Sequence, residues 1–66
     1  MNLTVNGEAR AFDSVADVAA LVAALGLDPR KVAVERNLEI VPRSAYGRTP
    51  LADGDRIEIV HFIGGG

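Results

Sequence analysis

The chain has 66 residues, 48% of them hydrophobic, and seven Lys/Arg against nine Asp/Glu leave a net charge of −2. That length allows one domain, which buries only about 60% of the surface its unfolded chain exposes and has no room for both a core and a deep catalytic cleft. The charges form no basic run, which gives no support to nucleic-acid or anionic-membrane binding. No apolar run approaches the roughly 18 residues that span a bilayer, and Met1-Asn2-Leu3-Thr4 lacks a signal-peptide pattern, so a cytoplasmic location is expected.

Leu3 and Val5 alternate with Asn2, Thr4 and Asn6 as in a half-buried strand. Asn6-Gly7 predicts a type I′ hairpin, because that turn needs positive φ at both central residues, and residues 8–12 return as a second strand. Ser14 with Asp17 three residues on approximates a capping box, Asp standing where Glu is preferred. Val15, Val18, Leu21, Val22 and Leu25 share one helical face, and Gly26 suits the positive-φ residue that closes a helix. A helix over 15–25 is expected, with an apolar stripe that needs a sheet to cover it.

Leu27-Asp28-Pro29-Arg30-Lys31 connects that helix to a third strand, in which Val32 and Val34 alternate with Ala33 and Glu35. Arg36-Asn37-Leu38-Glu39 turns into a short strand over 39–41, which Pro42, having no N–H, confines to an edge or ends. Residues 44–50 have no clear period and predict irregular structure with one helical turn. Asp53-Gly54 marks a second tight turn, and the β-branched stretch 56–63 is the last strand. This order predicts an α+β, ubiquitin-like β-grasp: a mixed four- to five-stranded sheet with one main helix across it and a flexible C-terminal Gly tail. A right-handed crossover places the last strand parallel to the first at the sheet centre. A ferredoxin-like arrangement would need a second helix, and the pattern shows none. The domain spans 1–63 and the tail 64–66.

Three glycines after an anchored strand form a filament without side chains. Gly64 and Gly65 suit threading into a narrow active site on another protein, where any Cβ would clash, and the reacting atom is then the terminal carbonyl carbon of Gly66. Within the chain itself, chemistry has few carriers. There is no cysteine, which removes disulfides, iron–sulfur ligation, thiolate zinc sites and a thiol nucleophile. His61 is the single histidine, and neither Ser14 nor Ser44 is placed by the pattern as a nucleophile beside it. The carboxylates show no metal-ligand spacing, and the glycines precede no helix that would cradle a phosphate. In the last strand Ile57 and Ile59 face the helix, which leaves Val60 and Phe62 on the solvent face beside the tail. Val60, Phe62 and Arg43 are the candidates for partner docking, Arg43 by pairing with an acidic partner surface.

Val32-Ala33-Val34-Glu35-Arg36-Asn37, Ile40-Val41-Pro42-Arg43, Leu51-Ala52-Asp53-Gly54-Asp55 and the terminal glycines, in this order across essentially the whole chain, resemble the ThiS family of sulfur carriers in thiamin biosynthesis. The family usually ends in two glycines, which map onto Gly65 and Gly66, with Gly64 extra or substituted. The resemblance implies a protein substrate and carrier, not an enzyme, with no bound cofactor and a monomeric free state. A ThiF-like adenylating enzyme would use ATP to turn the Gly66 carboxylate into an acyl-adenylate, a step needed because an ionised carboxylate, of pKa about 3.5, is a poor electrophile. Sulfur from a cysteine desulfurase or other donor would then give a thiocarboxylate, and a ThiG-like thiazole synthase would consume it. The alternatives are a ubiquitin-like modifier, which uses the same activated carboxylate, a molybdopterin-synthase-type sulfur carrier, whose small subunit is typically longer with proline near its tail, and a plain β-grasp interaction domain whose terminal glycines are inert.

Overall fold

Asn2–Val5 (β1) and Glu8–Ala11 (β2) form an antiparallel hairpin in which Asn6 and Gly7 take φ of 50° and 83°. Both values are positive, as a type I′ turn requires, and Asn and Gly reach that region at least cost. The computed structural model describes residues 1–62, so Ile63 and the expected tail of Gly64, Gly65 and Gly66 lie outside it.

The helix (α1) is Val18–Ala24, three residues shorter at its start than the apolar period suggested. Asp17, not Ser14, is its N-cap, with extended backbone and a carboxylate that accepts the Ala20 N–H at 2.8 Å. The correction has a tertiary cause. Asp17 bridges to Pro50, the Val18 N–H donates to the Thr49 carbonyl, and the Leu51 N–H donates to the Ala16 carbonyl. That pairing holds Asp17 extended, so the helix begins only at Val18, while Val15 still buries in the core. At the other end Gly26, with φ of 73°, donates to the Ala23 carbonyl and Leu27 to the Val22 carbonyl, which is the Schellman closure.

Val32–Arg36 (β3), Glu39–Val41 (β4) and Arg56–His61 (β5) complete a five-stranded sheet in the order β2-β1-β5-β3-β4. β5 runs parallel to β1 and antiparallel to β3 at the centre, while β4, stopped by Pro42, is an edge. Val18, Leu21 and Val22 of the helix share one core with Leu3, Val5, Val32, Val34, Val41, Ile57 and Ile59. The stretch 44–50, expected to be irregular with one helical turn, holds most of a 3₁₀ segment over Arg43–Arg48 that brings Tyr46 into this core, where its hydroxyl donates to the Val32 carbonyl at 3.2 Å.

Asp55 is a buried charge. Its carboxylate accepts from Arg36 Nε at 2.8 Å, Asn37 Nδ2 at 3.0 Å and the Ala52 N–H at 2.8 Å. Burial alone would raise its pKa, but these donors outweigh burial and hold it below the ordinary 3.8. The network fastens the β3–β4 hairpin to the turn that feeds β5.

Asp17→Ala should cost about 1 kcal/mol in urea unfolding, with Ser14→Ala leaving the midpoint unchanged; equal losses would return the cap to Ser14. Asp55→Ala, which strips Arg36 and Asn37 of their shared acceptor, should cost about 2–4 kcal/mol. Because the folded pKa is depressed, the Asp55 contribution is complete above 3.8 and disappears as pH falls through the lower folded value. Asp55→Asn should therefore flatten the acid limb of the stability curve, and an unchanged limb would remove Asp55 as its source.

Candidate functional site

β5 leads in sequence to the glycines, so the way it is held decides what this end of the domain presents. Its parallel register with β1 covers only Thr4 opposite Arg56 and Val5 opposite Ile57. β1 then bends into its hairpin, and the Asn6 side chain continues the ladder: Oδ1 accepts the Ile59 N–H at 2.7 Å and Nδ2 donates to the Ile59 carbonyl at 3.2 Å. An amide thus satisfies two backbone groups that have lost their strand partner. On the other side β3 follows β5 as far as Val32 opposite His61, and the Phe62 N–H donates to the Lys31 carbonyl at 2.8 Å. The strand is bonded on to the last described residue.

Alternation buries Ile57 and Ile59 and turns Glu58 and Val60 to the opposite face. Val60 and Phe62 are 61% and 52% exposed. Ala33 stands directly opposite Val60, and Ile40, 78% exposed, stands opposite Glu35. Arg43, the first residue of the 3₁₀ segment, lines one open groove of roughly 330 Å³ together with Arg30, Ala33, Ile40, Pro42 and Phe62. Val60 is outside that groove but adjoins it through Ala33. The three docking candidates therefore meet at one end of the sheet. No ion pair involves Arg43 among the described residues. Ile40 and Ala33 were not singled out from the sequence. The available signal was the register of the edge strand, since an inward Val41 sends Ile40 outward.

His61 is exposed and shares no hydrogen bond with the exposed Ser14 or Ser44. Among the described residues no group of His, Asp and Glu is arranged to hold a metal, and no helix is long and apolar enough to cross a membrane. What this end of the sheet offers is an apolar contact surface with a cation at its rim, next to the strand that precedes Ile63 and the glycines. Gly64, Gly65 and Gly66, the expected threading and reacting residues, lie outside the described residues.

The ThiS family model matches residues 3–66. Over 66 residues the chain is 59% identical to a thiazole synthase of Paramagnetospirillum magneticum, and it spans 20% of that protein's length. Against the sulfur carrier protein ThiS of Bacillus subtilis it is 50% identical over 46 residues, 70% of each chain. The fold matches the crystal structure of the thiamine biosynthesis protein ThiS of Geobacter metallireducens with a TM-score of 0.84 and 40% identity, over 100% of both chains. A match of this extent in sequence and in fold leads to one conclusion: the chain belongs to the ThiS family.

Proposed function

We propose that this domain carries sulfur for thiamin biosynthesis as a thiocarboxylate on Gly66. The observation that carries the reading is the family match running through residue 66, set beside a β5 that is hydrogen-bonded as far as Ile59 on the β1 side and as far as Phe62 on the β3 side. A carrier needs its reactive end next to a fixed recognition surface, and Val60, Phe62 and Arg43 supply that surface at the end of β5. Gly64 and Gly65 place no Cβ in the way of a tail entering a partner's active site.

In this reading a ThiF-like enzyme adenylates the Gly66 carboxylate. The oxygen attacks the α-phosphorus of ATP, pyrophosphate leaves, and the resulting mixed anhydride carries AMP as a good leaving group. Sulfide displaces AMP directly to give the thiocarboxylate; where the donor is a desulfurase persulfide, its outer sulfur displaces AMP to give an acyl disulfide, which a thiol then reduces to the thiocarboxylate. A ThiG-like thiazole synthase then takes up that sulfur. ATP belongs to the activating partner, and the domain binds no cofactor of its own. The similarity to thiazole synthases favours thiamin over molybdopterin as the destination.

Incubation with ATP, the adenylating enzyme and sulfide should raise the intact mass by one oxygen-for-sulfur exchange localised to Gly66. Deleting Gly65 and Gly66 should abolish the gain and leave the melting temperature within about 1 °C, since terminal glycines contribute few contacts. No gain with an adenylating enzyme proven on another carrier would overturn the proposal, and lysine-linked adducts in its place would point to a protein modifier.

A further inference from the structure

Glu35 of β3 and Glu58 of β5 stand directly opposite each other on the face of the sheet away from the helix. Both are half-buried, and neither forms an ion pair among the described residues. Arg56, two residues from Glu58 on the same strand and face, makes no ion pair either. Like charges directly opposite one another on adjacent strands destabilise a sheet. A small domain with marginal stability has no structural reason to retain that cost.

The neighbours of the pair indicate a use for it. Across β5, β3 and β4 the row reads Glu58, Glu35, Ile40, and the next row toward Phe62 reads Val60, Ala33. The two carboxylates are therefore bordered by the exposed apolar side chains of the docking surface, where an approaching protein would exclude water and strengthen any charge pairing. We infer that Glu35 and Glu58 together form a socket for one lysine or arginine of the thiazole synthase, which enters between them while Ile40, Val60 and Phe62 meet apolar groups around it. The inference rests on the sulfur-carrier reading above. The thiazole synthase is the chosen occupant because the 59% identical relative holds the counterpart of this domain within its own longer chain. The socket then fixes which way the domain sits on its partner, because the apolar patch alone specifies no direction.

Calorimetric titration of the chain into a purified thiazole synthase without a carrier domain of its own tests this, run at about 50 and 200 mM salt. Doubly neutralising Glu35→Gln and Glu58→Gln should raise Kd about fivefold at low salt and remove most of its salt dependence. The same variant, free in solution, should melt about 1–4 °C higher, because the cross-strand repulsion is gone. Weaker binding with a lower melting temperature would overturn the inference by making the carboxylates structural. Unchanged binding by the double variant, with Val60→Ser and Phe62→Ser binding weakly, would sink the socket and leave the docking surface standing. Unchanged binding by all of these variants would sink both.

Discussion

The pairing of β5 between β1 and β3 is the constraint on which the rest of this domain depends. A central strand cannot release Ile57 or Ile59 without breaking bonds on each side, while its residues beyond Ile59 are held from the β3 side. The antiparallel side is complete, but the parallel side is short because β1 has to turn. Asn6 resolves that conflict in one residue. Its backbone takes the positive φ of the I′ turn while its amide donates to and accepts from Ile59. A glycine there would turn but offer no rung, and an aspartate would accept the N–H but leave the carbonyl unpaired.

The residues that carried the family resemblance prove to be mostly architectural. Arg36 and Asn37 converge on Asp55, Asp53 accepts the Asn2 N–H, and the Gly54 N–H donates to the Asn2 carbonyl. These contacts fix where β5 enters the sheet and therefore its register, and a one-residue slip would send Val60 and Phe62 inward and Ile59 outward. The docking candidates are plain aliphatic and aromatic side chains whose only distinction is the face they occupy. Helix and sheet use the other face for a buried cluster that is aliphatic except for Tyr46, so no residue of that cluster is also a docking candidate.

What was legible in the sequence was whatever local chemistry decides. Asn6-Gly7, Gly26 and Pro42 each ended an element where the structure ends it, and Asp53-Gly54 turns into β5 as expected, because φ or a missing N–H settles the matter within a few residues. The start of α1 was not legible, since the bridge from Asp17 to Pro50 is a contact between distant segments, and Val15 keeps the apolar period without being helical. Leu38 is a sharper case. It takes a φ of 71° in the turn between β3 and β4, a region that leucine avoids. The ladder on either side and the hold of Asp55 on Arg36 and Asn37 override that local preference. The groove shared by Arg43 and Phe62 was likewise hidden, because the 3₁₀ segment that brings Arg43 to the tail end of the sheet has no apolar period to announce it.

The size of the exposed surface bears on how a carrier of this kind would work. Val60, Phe62, Ala33 and Ile40 are a few side chains, far less than the 20 to 30 residues a side that about 1,600 Å² of stable interface involves. A protein loaded by one partner and unloaded by another is better served by such a contact, because tight docking on either would trap it there. A longer chain that holds the counterpart of this domain, as the matched thiazole synthases do, relaxes the demand further for any contact within it, since a tether supplies an effective concentration on the order of millimolar without any new contact. Under those conditions orientation limits transfer more than affinity does. An apolar patch of this size would contribute affinity without direction, and in the proposed docking the charges beside it, the paired carboxylates on one flank and Arg43 on the other, would set the angle between carrier and partner.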